Sequence, residues 1–354
     1  LPAEIKLTLD RDQKIVRVEI VSFSLSSIEP LRGLKDVREV ICSPMTAAVG
    51  QDARTEPLRD LSPLRGMPLE TLYVAFSCIE DLSPLAGMPL QRLDIRGTKV
   101  VDLAPLASAK LTECKVGETG IADLNVVSGM PIEILDISGT PMKDLAQMAG
   151  MPLRILDISS AKIDDLSPVK GKALSYLNAE DTRISDISML AGMPLTQVLL
   201  KKTKVSNIAA LQGMKLVYLS LSGTGVRDFG VLQGMPIRHL ELGGCRLSDL
   251  SMAAGMPLEY LDVSETSVRE IDVLKGARLR HLNIRDTRVK DISIISGMPL
   301  TSLDCRDSKV KDFKPLSGLP LRSVWLDDAD DESVKPILRS IGSLRELNGG
   351  SWSQ

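Results

Sequence analysis

The chain has 354 residues and a net charge of -3 at pH 7, which argues against nucleic-acid binding, because that needs a concentrated basic surface to displace counterions. No uninterrupted apolar run approaches the ~18 residues of a membrane span, and the first residues offer neither a basic stretch nor a signal-like apolar core. Cys42, Cys78, Cys114, Cys245 and Cys305 lack CxxC or CxxH spacing, so neither a zinc site nor a disulfide framework is indicated and no cofactor or metal is expected.

The first residue is Leu1 rather than an initiating Met, which suggests a processed or excised piece of a longer protein and an extracytoplasmic location. In "AEIKLTLDRDQKIVRVEI" apolar and polar residues alternate on both sides of "DRDQ", predicting an N-terminal hairpin that runs into a first strand near Val18. Residues 1–36 are read as this cap and the first repeat, and 37–68 as an irregular repeat whose strand begins at Val37. Its excess length falls on 44–57, "PMTAAVGQDARTEP", which is either a tolerated surface loop or a flap over the binding face.

From Leu69 onward the chain repeats itself every 21 residues in thirteen in-register units, assigned to 69–329. Gly66, Gly87, Gly129, Gly150, Gly171, Gly192, Gly213, Gly234, Gly255, Gly276, Gly297 and Gly318 fall on one grid, with Ser108 in the single missing place. The frame L-x-x-L-x-I-x-x-T-x-V-x-D-L-x-x-L-x-G-M-P is clearest in "LQRLDIRGTKVVDLAPLASAK" and "LEYLDVSETSVREIDVLKGAR". In "LxxLxI" the fourth and sixth places are apolar and their neighbours polar, as in a short strand with one buried face that the next unit must cover. A return path this short has no room for a full helix, so "DLSPLxG" predicts a 3₁₀-like turn.

This pattern resembles the leucine-rich repeat family, specifically its short bacterial, internalin-like variety, over about residues 15 to 348. The resemblance implies a mostly β solenoid of α/β type: an arc with one parallel concave sheet, 3₁₀ turns on the convex side and caps at both ends. Repeats of this Gly-Met-Pro kind also resemble segments of large bacterial proteins, some attached to serine/threonine kinase domains, but no kinase motif is present here.

Most conspicuous residues have a structural role in this frame. Asp60, Asp81, Asp102 and their successors open each turn and are expected to cap free N–H groups. Methionines such as Met67, Met88 and Met256 fill the convex core. The file Thr98, Thr119, Thr140, Thr182, Thr203, Thr224, Thr266 and Thr287 is expected to tie turn to turn through its hydroxyls. Glu265, Asp286, Asp307 and Asp328 stack acids on successive turns, which calls for a cation or for compensation by Arg285 and Arg306.

The third, fifth and seventh places of each unit remain free to face the concave side. All four tyrosines lie there: Tyr73 at a fifth place, Tyr176, Tyr218 and Tyr260 at third places. His239 and His281 complete the same column, and Glu241, Asp262 and Asn283 stand in the neighbouring one. Aromatic rings with polar tips beside acids are what an interface uses for contact area with specificity. The expected site is therefore Tyr176, Tyr218, His239, Tyr260, His281, Glu241, Asp262 and Asn283. Nothing completes a catalytic set around His239 and Glu241, so the chain is read as a noncatalytic module that binds a protein or peptide. A carbohydrate-binding surface and a structural scaffold or spacer are the alternatives. Residues 330–354, with "DESVKPILRSIGSLRELNGG", predict a C-terminal capping helix carrying Pro336 near its start and ending at Gly342, after which the array is read as complete.

Overall fold

The computed structural model describes residues 4–22, 25–44 and 58–352. The expected loop over 44–57 lies, apart from Pro44, outside them. The chain divides into two compact units, Leu1–Leu174 and Ser175–Gln354.

The first unit begins with β1 (Glu4–Leu9) antiparallel to β2 (Ile15–Ser22). Asp10 closes the turn between them, its Oδ1 accepting the N–H groups of Asp12 at 2.9 Å and Lys14 at 3.0 Å. β3 (Glu39–Pro44), β4 (Thr71–Tyr73), β5 (Arg92–Asp94), β6 (Glu113–Lys115), β7 (Ile134–Asp136) and β8 (Ile155–Asp157) follow β2 in a parallel ladder. Their central residues Val40, Leu72, Leu93, Cys114, Leu135 and Leu156 are all 0% exposed, as the alternation requires. β1 covers the edge of β2 but leaves its own Ile5, Leu7 and Leu9 in solvent.

The second unit continues the same way. β9 (Tyr176–Asn178), β10 (Gln197–Leu199), β11 (Tyr218–Ser220), β12 (His239–Glu241), β13 (Tyr260–Asp262), β14 (His281–Asn283), β15 (Ser302–Asp304) and β16 (Ser323–Trp325) pair in parallel, each residue opposite the one a full repeat later. A short helix, α1 (Lys335–Ser340), has Pro336 in its first turn and buries Leu338; it stops at Ile341, one residue before Gly342. β17 (Glu346–Leu347) pairs with β16, and β18 (Gly350–Ser351) folds back on β17.

Each repeat returns through a 3₁₀ turn, such as Ser83–Leu85 or Ser251–Ala253. The preceding Asp or Asn organises it. Asp81 accepts the Ser83 N–H at 2.7 Å, Asp165 the Ser167 N–H at 2.7 Å and Asn207 the Ala209 N–H at 2.9 Å, each an Asx turn that satisfies an otherwise free donor. The Ser167 hydroxyl, and after it the Ser167 N–H, hold Asp165 below the usual carboxylate range. Buried methionines line the same side: Met67, Met88 and Met256 are each 4% exposed. Buried thiols behave as small hydrophobes, and burial pushes Cys42 and Cys114 up to about 12.

The threonine file works differently from the expectation. Thr98, Thr119, Thr140, Thr182, Thr203, Thr224, Thr266 and Thr287 each donate to the carbonyl three residues earlier, within their own turn, at 2.6 to 2.7 Å. The hydroxyl therefore closes its own turn instead of reaching the next, except that Thr224 Oγ1 also lies 3.7 Å from Cys245 Sγ one repeat on. Thr266→Val keeps the shape and leaves the Val263 carbonyl short of a donor. It is expected to lower unfolding stability by about 1 kcal/mol, read from urea denaturation; an unchanged midpoint would show that the hydroxyl is dispensable.

The stacked acids also prove to be turn residues. Glu265, Asp286 and Asp307 adopt left-handed backbone with φ of 57, 50 and 56°, the place where Gly223 and Gly244 stand with φ of 70 and 69°. Short polar side chains and glycine tolerate that conformation best. Arg285 does approach Asp307, at 3.4 Å. Arg306 instead turns to Asp304, with its Nε 3.0 Å from Oδ1.

Candidate functional site

In the second unit the parallel register sets Tyr218, His239, Tyr260 and His281 side by side on consecutive strands. The strand spacing of about 4.8 Å is close to the thickness of stacked rings, so the side chains lie flat against one another. Tyr218 and His239 have centroids 4.0 Å apart and planes 11° from parallel; for His239 and Tyr260 the values are 3.9 Å and 6°. The stack loosens at its end, where Tyr260 and His281 stand 5.6 Å apart and tilted by 33°.

Glu241 locks one end of the stack. Its Oε1 accepts the Tyr218 hydroxyl at 2.7 Å and lies 2.7 Å from His239 Nε2, while Oε2 accepts the Ser220 hydroxyl at 3.0 Å. Burial is the largest influence on Glu241 and works against its charge, but hydrogen bonds from His239, Tyr218 and Ser220 together prevail and bring its pKa down to about 2. Tyr218 is raised by the same burial and by its bond to Glu241. Burial lowers His281, and the charges of His239 and Arg280 push it further in that direction, so its ring is neutral at pH 7.

Beyond the loosened end the file of rings gives way to Ser302, and a recess of about 320 Å³ opens, lined by Tyr260, His281, Asn283, Ser302, Asp304, Arg306 and Trp325. Arg306 and Asp304 form a two-point pair on its floor. Among the described residues the hydroxyl of Tyr260, the ring nitrogens of His281 and the indole N–H of Trp325 have no hydrogen-bond partner. Three of the side chains that line the recess therefore carry polar atoms not used by the protein.

Of the eight expected site residues, Tyr218, His239, Tyr260 and His281 form the ring file, and Glu241 is bonded to its first two members. Asp262 and Asn283 stand on the same strands, but each spends an oxygen on its own turn, accepting the N–H of Ser264 at 2.8 Å and of Arg285 at 3.1 Å. Tyr176 is on β9, two strands before Tyr218 and separated from it by Gln197. The fifth column is less free than the sequence implies: Ser220 is 0%, Asp94 6% and Asn178 9% exposed. Asp94 and Asn178 fold back to accept the N–H groups of Arg96 and Glu180, and the Ser220 hydroxyl donates to Glu241 and Glu180. Trp325, Asp304 and Arg306 were not among the expected site residues. Continuing the fifth column to its last strand reaches Trp325, and that was the available signal.

In the first unit the matching face is occupied by internal ion pairs. Lys115 pairs with Glu113 at 2.6 Å and Arg96 with Asp94 at 2.7 Å, and the Tyr73 hydroxyl donates to Glu113 at 3.0 Å.

Comparison with solved structures establishes the fold. An internalin, InlF, of Listeria monocytogenes superposes with a TM-score of 0.59 at 19% identity, over 96% of this chain and 91% of its own. A leucine-rich repeat protein of Leptospira interrogans gives 0.58 at 14% identity, over 95% and 92%. The leucine-rich repeat ectodomain of the Arabidopsis receptor kinase HAESA, solved with a peptide hormone, gives 0.61 at 13% identity, over 98% and 72%. No protein-family model matches the sequence, and no curated protein matches it. The chain is a leucine-rich repeat solenoid, with an open parallel sheet of short strands joined by 3₁₀ turns.

Proposed function

We propose that the exposed sheet face of the second unit is a noncatalytic recognition site for a peptide or extended protein segment, centred on the recess between Tyr260, His281 and Trp325. The observation that carries this reading is the trio of unpartnered polar tips around an aromatic-walled recess. A rigid ring stack already locked by Glu241 loses little side-chain freedom when a ligand arrives. Tyr and Trp combine a large apolar body with a hydrogen-bonding tip, as hot-spot residues do. The HAESA ectodomain, of the same fold, was solved with a peptide hormone, which agrees with a peptide as the ligand class.

The same geometry weighs against sugar stacking and against acid–base chemistry. Both faces of the His239 ring are covered at about 4 Å, so this ring offers a sugar an edge and no face. Glu241, with its pKa at about 2, is a poor proton acceptor near neutral pH.

Selection of a random peptide library on the full chain, counter-selected on a Tyr260→Ala/Trp325→Ala double variant, tests the proposal. Enriched peptides are expected to bind the double variant at least about tenfold more weakly. Their affinity should hold across neutral pH and weaken only below the ordinary imidazole value of 6.5, once His281 takes up a proton. Peptides that bind wild type and double variant alike, or a glycan array that gives the stronger and Trp325-dependent signal, would remove it.

A further inference from the structure

The second unit contains one local departure from its repeat that creates space. After the grid glycine stand Met193, Met214, Met235, Met256, Met298 and Leu319, between 3 and 6% exposed. The exception is Ala277, between Gly276 and Arg278. Where the longer side chain is missing, recesses of about 440 and 830 Å³ lie on the two sides of Ala277, and both are lined by Glu259, Lys275, Ala277 and Arg278. Met256 walls the first and Met298 the second, which Arg280 also borders.

The charges around this space are unbalanced. Glu259 is the one acid lining either recess, and Arg238 takes it in an ion pair of 2.7 Å. Among the described residues Lys275, Arg278 and Arg280 make no ion pair. Three cations thus ring a half-apolar hollow at the leading ends of β13 and β14, in a chain whose net charge is -3.

We propose that this hollow binds an acidic peptide segment, its carboxylates engaging Lys275, Arg278 and Arg280 while an apolar side chain occupies the space that methionine fills in neighbouring repeats. Guanidinium groups pair with carboxylates through two parallel hydrogen bonds. The methionine walls favour a peptide over a sulfated sugar, whose hydroxyls would be pressed against groups that cannot hydrogen-bond. The proposal does not rest on the aromatic recess and concerns a different surface.

The test is fluorescence anisotropy of the full chain with a labelled hexapeptide of glutamates around a central leucine, at low and at moderate salt. Its glutamine counterpart and a sulfated oligosaccharide are run in parallel. The acidic peptide is expected to bind at least about tenfold more tightly than the glutamine peptide, with an advantage that shrinks as salt screens the charges. Lys275→Gln/Arg278→Gln/Arg280→Gln should lose that advantage. Ala277→Met, which keeps every charge and restores the neighbours' residue, should weaken binding by about tenfold or more through occupancy of the hollow. Because Ala277→Met retains the packing of adjacent repeats, it decides the matter even if the triple variant folds poorly. Equal binding by Ala277→Met and wild type, tighter binding of the sulfated oligosaccharide, or no binding of the acidic peptide at low salt each overturn the proposal.

Discussion

Leu240→Ala is expected to lower unfolding stability by about 3 kcal/mol. Leu240 is 0% exposed at the centre of β12, and its backbone pairs with Leu219 on one side and Leu261 on the other. Both neighbours are also 0% exposed, so the deleted carbons leave a void between rigid layers that the spacing of the strands keeps from collapsing. Leu240→Met, which conserves volume, should cost under about 1.5 kcal/mol. In a solenoid each repeat draws its stability from its immediate neighbours, so the loss should be local. Hydrogen exchange should quicken in β11 to β13 before it changes in β9 or β16. The rings of Tyr218, His239 and Tyr260 stand on those three strands, and the same variant should broaden their NMR resonances. A uniform rise in exchange over the whole unit would show instead that its repeats unfold as one block.

The distribution of such losses explains what could be read from the sequence. Strand placement was legible because one residue, such as Leu240 or Leu261, must be apolar every 21 positions for the next layer to pack. The alternation around it then fixes that His239 and Glu241 share the outward side. Side-chain bonding was less legible. Nothing in the spacing of Thr266 says that its hydroxyl turns back to Val263 and not on to the next turn. Asp262 and Asn283 look free by alternation, yet the tight exit from each strand leaves an N–H two residues on that they satisfy. The recess at Trp325 was missed because it is made by an absence: small Ser302 and Ser323 follow the ring file, and a gap leaves no periodic signal. The hollow at Ala277 arises the same way, from one short side chain where a long one is the rule.

Removing the Glu241 carboxylate should both destabilise the unit and free the rings. Tyr218, His239 and Ser220 all direct a polar atom at it, and Ser220 is 0% exposed. Glu241→Ala strands Tyr218 and His239 in a half-buried site and leaves Ser220 only its longer bond to Glu180 at 3.2 Å, at a cost of about 1–3 kcal/mol. Glu241→Gln preserves size but presents an amide N–H₂ where an acceptor is needed, and should recover only part of the loss. The effect is coupled to pH. Glu241 has a folded pKa of about 2 against an ordinary value of 4.5, so the unfolded chain binds its proton first as acid is added. Its contribution is complete above 4.5 and fades as pH falls toward 2, because protonation removes the acceptor that holds Tyr218 and His239. The stability gap between wild type and Glu241→Gln, measured by urea denaturation at a series of pH values, should therefore be widest near neutrality and close through that window. A gap that stays constant from pH 6 to pH 3 would mean that the carboxylate charge is not what anchors the stack, and that ring packing alone keeps the face in order.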